Sequence, residues 1–136
     1  MKIDSKIKSF LLNIPLTYFL ITFNFKKKFT KPKDLLIFSE KRNAALKIHI
    51  SSVNAYFFSL KIEKISKMLA ISSCLTKSLV LHKALISNEI DSKIFIGVAK
   101  NLDELEAHAW IESNNHVVND DVSKLKKFKI ILESSL

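Results

Sequence analysis

Hydrophobic residues in the middle of this chain recur at the spacing of one helix face. From Asn43 to Leu69, the steps between successive apolar side chains alternate between four and three, which predicts an amphipathic α-helix packed on a core. The first of these side chains belong to Leu46, Ile50, Val53, Phe57 and Leu60. Ile62, Ile65 and Leu69 continue an apolar face, with room for a bend near 59–61, so we expect helix throughout this range.

A second helix is predicted to begin at Cys74. Ser72 and Ser73 precede it, and serine is a favourable N-cap residue. The apolar residues that follow cover nearly every side, as expected of a helix buried on most of its surface. Asn88 and Asp91 mark its predicted end.

The C-terminal third has the pattern of an antiparallel sheet. β-branched and aromatic residues dominate positions 93–98 and predict a strand, which an acidic loop follows at 101–106. Residues 107–112 and 116–119 flank a turn at 113–115, whose two asparagines tolerate the left-handed conformations of tight turns. The predicted fold class is therefore α+β, with a helical N-terminal half followed by a cysteine-bearing helix packed on a small antiparallel sheet.

An uncharged stretch at 9–25 lies between lysines at both of its ends. It is shorter than the roughly 20 apolar residues that span a bilayer, and no small-residue cleavage site follows it. We expect a packed helix or an interfacial segment that Pro15 starts or kinks, and then a turn at 30–33. A membrane span is not favoured, and contact with a membrane surface stays an open alternative.

The length of 136 residues fits one domain, which we divide into a helical N-terminal extension at 1–43 and a catalytic core at 44–121. Residues 122–132 fit either a short strand or a helix. The single cysteine excludes an internal disulfide and a multi-cysteine zinc site, and it suits the reducing cytoplasm. No glycine-rich phosphate loop is present, so nucleotide chemistry is not expected.

The net charge of +9 is concentrated in the N-terminal half. Residues 1–72 hold 14 Lys and Arg against 4 Asp and Glu, whereas residues 73–136 hold 8 against 9. A basic surface attracts nucleic acid, anionic lipid or acidic polypeptides. The aromatic residues lie within apolar runs and match no nucleic-acid-binding motif, so we expect no nucleic-acid partner and interpret the charge as a solvated basic face.

One ordered set of residues has the chemistry of a cysteine hydrolase: Cys74 at a helix start, His108 on a predicted strand, and an aspartate after the hairpin turn. A thiol nucleophile needs a base that takes its proton and a third group that orients the base. Unpaired N–H groups at a helix start stabilise a thiolate and can receive an oxyanion. If the turn has two residues, strand parity places Asp121 opposite His108, whereas one extra residue or a bulge places Asp120 there.

The other histidines are poorer candidates for the base. His82 lies eight residues into the same helix as Cys74, about 12 Å along its axis, and we expect His49 and His116 to face solvent or to pack. A metal site made of His108, His116 and one aspartate is an alternative, but its spacing matches no standard ligand pattern. We therefore expect neither a metal nor a cofactor.

Four segments resemble the transglutaminase-like leader peptidases of lasso-peptide biosynthesis. They are Cys74-Leu75 at the helix start, Ile96-Gly97-Val98, His108-Ala109-Trp110-Ile111-Glu112 and Val118-Asn119-Asp120. The resemblance covers about residues 44–121 and implies a papain/transglutaminase-like fold. It also implies that Cys74 is the nucleophile, His108 the base and Asp120 the orienting acid. Where the family places glycine, this chain has Asn88-Glu89 and Asn115.

The resemblance further implies thiolate attack on the bond between leader and core peptide, an acyl-enzyme, and hydrolysis. Single-chain members carry an N-terminal leader-recognition domain, for which this chain has no room, so we expect the split form of the B-type maturation protein. The implied partners are the precursor leader peptide, a separate leader-recognition protein and, as a further candidate, a lasso cyclase. The alternatives are another transglutaminase-like amidase or acyl transferase, and a non-catalytic basic helical module that binds a membrane or an acidic partner.

Overall fold

Helices packed on one antiparallel sheet make up the chain, of which the computed structural model describes residues 5–48 and 54–134. The helices are α1 (Ser5–Lys26), α2 (Pro32–Ser39), α3 (Ala55–Met68), α4 (Cys74–Ser87) and α5 (Val122–Leu125), with a 3-10 helix at Ala44–Leu46. The strands are β1 (Lys93–Asn101), β2 (Glu104–Ser113), β3 (His116–Val117) and β4 (Lys129–Glu133). They pair antiparallel in the order β3-β2-β1-β4. The predicted α+β class is confirmed.

Helix α4 forms the centre of the core. Helices α1, α2 and α3 contact it on one side, and strands β1 and β2 contact it on the other. Every residue from Ser78 to Ser87 is buried, as the all-round apolar sequence predicts. Since fully burying one large aliphatic side chain contributes about 1.5–3 kcal/mol, this helix is held firmly, and its first turn emerges at the edge of the core.

The end of α4 is fixed by polar contacts to the chain that precedes α3. Asn88 caps the helix, its amide donates to the carbonyl of Leu46 (2.9 Å), and its Oδ1 accepts from the N–H of Ile48 (2.9 Å). Glu89 then adopts a left-handed conformation with a φ of 58°. Glycine enters this region without steric cost, so the predicted turn forms here with a less favourable residue.

Buried polar contacts hold α2 on α4. Ser39 Oγ lies 2.9 Å from Nδ1 of His82, which is fully buried. Lys83 Nζ donates to the carbonyls of Phe38 (3.0 Å) and Lys41 (2.7 Å) at the C-terminal end of α2. Burial lowers the pKa of Lys83, and the charges of nearby lysines lower it further. His82 is therefore a structural residue of the core.

The continuous helix predicted over 43–69 is wrong in its first part. The 3-10 helix at Ala44–Leu46 ends at Lys47, whose backbone is extended (φ −74°, ψ 131°). Helix α3 starts separately after Asn54, whose side chain caps it by accepting the N–H of Phe57 (2.9 Å). The expected apolar positions at 50 and 53 lie outside the described residues. A local cap thus begins a new helix that the apolar spacing did not reveal.

The buried face of α3 also differs from the prediction. Leu60, which the pattern assigned to the core, is 52% exposed, and Phe57 is only partly buried. Ile62 and Ile65, which continue the predicted face, are buried as expected, and Phe58 is buried in place of Leu60. Because α3 packs against both α1 and α4, those contacts set its rotation, and the 4-3 steps read across the preceding break misplace Leu60.

The acidic loop predicted at 101–106 is wrong. Strand β1 continues to Asn101 and β2 begins at Glu104, so the connection is a tight turn in which Leu102 is left-handed (φ 56°). The acidic side chains stand on the exposed end of β2. Residues 122–132, left open between helix and strand, contain the short helix α5 and most of β4.

Helix α1 runs through Pro15, which therefore does not start it. Burial of one apolar face offsets the roughly 3 kcal/mol that an interior proline costs. The buried side chains of that face are Leu12, Leu16, Leu20 and Phe23. Within residues 5–48 and 54–134, every helix is too short or too polar to cross a bilayer.

Candidate active site

Cys74 is the first residue of α4, and its side chain is half-buried. Ser73 caps the helix, because its hydroxyl accepts the N–H of Thr76 (3.2 Å) and its carbonyl accepts the N–H of Lys77 (3.1 Å). In the described part of the chain, the backbone N–H groups of Cys74 and Leu75 have no hydrogen-bond acceptor. The positive end of the helix dipole therefore lies beside the thiol, where it can stabilise negative charge.

His108 lies on β2 directly opposite Gly97 of β1. Its ring stacks against Phe128 and Trp110, with centroid distances of 5.4 Å and 6.3 Å. Trp110 is itself buried, and these rings form a small aromatic cluster apart from the main hydrophobic core. The stacking restricts the orientation of the imidazole and covers it on one side.

Gly97 makes room for these aromatic rings. A Cβ atom at this position would lie 2.9 Å from Cβ of Phe128 and 3.0 Å from the indole of Trp110. We expect Gly97→Ala to lower the free energy of unfolding by about 1–3 kcal/mol, because the added methyl overpacks this region. Thermal denaturation measures the loss. Lys100→Ala on the exposed end of the same strand is the control, and equal stability of the two variants would contradict the packing argument.

The contact between Asp120 and His108 does not follow from the regular pairing of the strands. Asn114 and Asn115 form a two-residue turn in which both are left-handed (φ 52° and 65°), and such a turn should place Asp121 opposite His108. That expectation is wrong, since β3 has only two residues and the regular pairing ends before the aspartates. His108 Nε2 is instead hydrogen bonded to Oδ2 of Asp120.

Asp121 has a different role, as the N-cap of α5. Its Oδ1 accepts the N–H of Ser123 (3.0 Å) and the hydroxyl of the same residue (2.9 Å). These hydrogen bonds, first from the backbone and then from the side chain, hold the pKa of Asp121 below its ordinary value, and the charge of Lys124 adds to the effect.

The structure brings Cys74, His108 and Asp120 into the lining of one small cavity of about 80 Å³. The cavity is completed by Ser59, Ile62, Glu63, Lys77, Leu81, Ala109 and Asn119. Because Asp120 engages Nε2 of the imidazole, an Nε2–H tautomer leaves Nδ1 as the proton acceptor. A thiol, an imidazole and a carboxylate thus share one site at the start of α4.

Sequence reasoning missed two positioning residues, Ser78 and Asn119. Asn119 Nδ2 donates to Ser78 Oγ (3.0 Å), and Ser78 Oγ donates to the carbonyl of Ala109 (3.2 Å). Asn119 Oδ1 accepts the N–H of Ile111 (2.9 Å). These bonds fix α4 against the strand that carries the imidazole. The signal for Ser78 was a hydroxyl one turn into an otherwise apolar helix.

An ion pair joins α3 to the first turn of α4 at the edge of the cavity. Lys77 Nζ lies 3.1 Å from Oε2 of Glu63, and both side chains are partly exposed. Such pairs contribute about 0–1 kcal/mol to stability. The larger effect of this pair is that it brings one positive and one negative charge to the cavity wall.

The remaining histidines lie apart from this cavity or outside the described residues. His116 is exposed at the start of β3 and lines a different cavity, and position 49 is not described. Across residues 5–48 and 54–134, no three His, Cys, Asp or Glu side chains are arranged to hold a metal ion. The alternative metal site that includes His116 therefore has no support in the structure.

Comparison with known proteins gives two matches. The model of the transglutaminase-like superfamily matches residues 41–133. The microcin J25-processing protein McjB of Escherichia coli is 28% identical over 135 residues, which are 95% of this chain and 59% of that protein. The chain thus spans somewhat more than half the length of this relative. No solved structure matches this chain.

Proposed function

Because the chain belongs to the transglutaminase-like superfamily, we propose that it is a cysteine peptidase with Cys74, His108 and Asp120 as its catalytic triad. The observation that carries the proposal is the shared cavity, which is lined by the single thiol and by a histidine that is hydrogen bonded to an aspartate. Superfamily membership alone is compatible with several acyl-transfer reactions. The residues of the site therefore support the choice among these reactions.

The first half of the proposed reaction forms an acyl-enzyme. His108 Nδ1 takes the thiol proton while Asp120 holds the imidazole through Nε2 and stabilises the resulting imidazolium. The thiolate attacks the carbonyl carbon of the scissile peptide bond. The oxyanion that develops lies near the unpaired N–H of Cys74 at the positive end of α4. The imidazolium then gives its proton to the leaving amine, and the C–N bond breaks.

The second half releases the acyl group to water. His108 removes a proton from a water molecule, which attacks the thioester carbon. The carbonyl oxygen again becomes negative at the start of α4. When the C–S bond breaks, the product leaves as a carboxylic acid and the proton returns to Cys74, so the enzyme is regenerated.

The proposed substrate is the precursor of a lasso peptide, cut between its leader and core segments. The support is the resemblance of the triad segments to leader peptidases and the 28% identity to a protein named for processing microcin J25. A cavity of about 80 Å³ can hold only the groups next to the scissile bond. We therefore propose that a separate leader-binding protein holds the rest of the leader and raises its effective concentration at Cys74, and that a lasso cyclase uses the released core.

Cleavage of the precursor in water enriched in ¹⁸O tests this proposal. We expect one ¹⁸O atom in the new C-terminal carboxylate of the leader, because water resolves the acyl-enzyme. We also expect the leader-binding protein to increase the rate by about 10²-fold or more. Mass spectrometry of the leader fragment measures both. A leader joined to an amine, without ¹⁸O, would indicate an acyl transferase, and no turnover with either a precursor or amide substrates would indicate a non-catalytic binding module.

Asp120→Asn is expected to lower turnover on the order of 10²-fold. Oδ1 of Asp120 accepts the N–H of Asp121 (2.8 Å), so an asparagine here keeps its oxygen on that contact and turns its amide towards Nε2 of His108. The imidazole must then carry its proton on Nδ1, the wrong nitrogen for a base. Single-turnover rates measure the loss.

Asp121→Asn is the matched control, because asparagine also caps helices well and the residue lies outside the cavity. We expect it to retain most of the activity. Equal, mild losses in the two variants would contradict the assignment of Asp120 as the orienting acid.

A further inference from the structure

The outermost face of α1 is apolar, the reverse of an ordinary surface helix. Its side chains Phe10, Ile14 and Tyr18 are 68%, 66% and 62% exposed. The complete face consists of Ile7, Phe10, Leu11, Ile14, Tyr18, Ile21, Phe25 and, just after the helix, Phe29. We call this set the α1 outer face. Contiguous exposed apolar surface of this kind marks a site of interaction.

Polar residues of α1 lie on its sides and bond to other helices. Asn13 Oδ1 accepts from Lys61 Nζ (2.6 Å) of α3, and Asn24 Oδ1 accepts from the hydroxyl of Thr76 (3.2 Å) of α4. Thr22 satisfies its hydroxyl within α1 by donating to the carbonyl of Tyr18 (2.7 Å). The fold therefore directs the two asparagine side chains away from the outer face and leaves the apolar side chains in contact with solvent.

The α1 outer face extends along most of the helix in a single line. Successive positions 7, 11, 14, 18, 21 and 25 are separated by steps of four and three, so they form one stripe. At 1.5 Å per residue the stripe is about 27 Å long.

All charged residues of α1 are basic, because residues 5–26 contain no Asp or Glu. Lys6 and Lys8 lie towards the start of the stripe, and Lys26, Lys27 and Lys28 lie at its other end. Whatever covers the face must therefore accept positive charge, above all at the end that carries the three consecutive lysines.

A second copy of this chain does not meet that requirement. In either orientation, pairing two outer faces brings lysine clusters close to each other with no acidic residue in α1 to offset them. Like charges at the flanks of helix pairs disfavour association. The surface of an anionic bilayer accepts both the positive charge and the apolar face. Its phosphate groups pair with the lysines, while Ile and aromatic side chains enter the boundary with the acyl chains.

We infer that the α1 outer face docks on an anionic phospholipid bilayer with α1 lying in the plane of the interface. The aromatic side chains at 10, 18, 25 and 29 are of the kind that interfacial helices bury on their apolar face. The bond between Asn24 and Thr76 connects the C-terminal part of α1 to the first turn of α4. Docking would therefore bring the start of α4 near the membrane. This inference does not depend on the proposed peptidase activity.

Flotation of the full chain with lipid vesicles tests the inference. We expect the protein to float with phosphatidylglycerol–phosphatidylcholine vesicles at low salt and to bind pure phosphatidylcholine about tenfold more weakly. High salt should weaken the binding to the anionic vesicles. Ile14→Glu and Tyr18→Glu should each reduce it about tenfold, since a carboxylate cannot enter the interface. Both positions are exposed, so the fold should be kept, and circular dichroism checks this.

Met68→Glu and Leu102→Glu are the matched controls, because these side chains are 79% and 89% exposed but do not belong to the α1 outer face. They should float like the wild type. The inference is overturned if the wild type does not bind anionic vesicles, if it binds neutral vesicles equally well, or if the controls lose as much binding as the α1 variants. It is also overturned if the wild type is a dimer in solution that Ile14→Glu dissociates, because a second copy then covers the face.

Discussion

Replacing Cys74 with alanine is expected to reduce precursor cleavage by at least roughly 10³-fold. The substitution removes the sulfur that would form the thioester. It leaves the start of α4 intact, because Ser73 supplies the helix cap and alanine is the best helix former. Initial rates of precursor cleavage and a thermal unfolding curve measure the two effects separately.

Ser72→Ala is the control for this variant. Ser72 is exposed and lies two residues before the nucleophile, so removing its hydroxyl should change neither activity nor stability. Because Cys74 is the single cysteine of the chain, one equivalent of an alkylating reagent should also abolish cleavage in the wild type. Normal turnover by the Cys74→Ala protein would rule out the peptidase mechanism.

His108→Gln is expected to lower turnover by on the order of 10³-fold or more. Glutamine can keep a hydrogen bond to Asp120 and fills much of the space beside Phe128 and Trp110, but it cannot take the thiol proton. Loss of activity in this variant therefore reports the base function and not the packing. His108→Ala should be equally inactive and less stable, because it removes the stacked ring. Pre-steady-state measurement of acyl-enzyme formation detects the blocked step.

His116→Ala is the matched control, since His116 is exposed at the turn and lies away from the cavity. It should keep most of the activity. His82 is unsuitable for this purpose because its burial makes any loss a stability effect. If His116→Ala were the inactive variant and His108→Gln remained active, the base would have to be reassigned.

Local sequence signals were sufficient for the elements that surround the nucleophile. Ser73 and the all-round apolar run after it predicted where α4 begins and that it is buried, because a cap and a buried helix are both determined by nearby residues. The turn at Asn114-Asn115 was predictable for the same reason. These are features in which local preference and tertiary packing agree.

Features that depend on packing between distant segments were not predictable in this way. The cap at Asn54 divides what reads as one apolar pattern into two elements, and contacts with α1 and α4 decide which side of α3 is buried. Strand parity could not assign the acid, since the pairing beyond the turn ends after Val117. Asp120 was indicated by the resemblance to a family and not by the geometry of its own segment.

The apolar stretch at 9–25 shows a further limit. Its sequence predicts an apolar helix, and α1 is such a helix, but hydropathy does not tell which of its sides the rest of the protein covers. Only the tertiary structure separates the buried line through Leu16 and Leu20 from the exposed line through Ile14 and Ile21.

The order of the proposed triad along the chain has a consequence for its biosynthesis. The ribosome makes Cys74 first, His108 34 residues later, and Asp120 12 residues after that. Strand β4, which pairs with β1 beside the imidazole strand, follows both. While α4 but not β2 has emerged from the ribosome, the thiol has no base beside it. On the proposed mechanism, the nascent chain therefore stays inactive until the sheet has formed on α4.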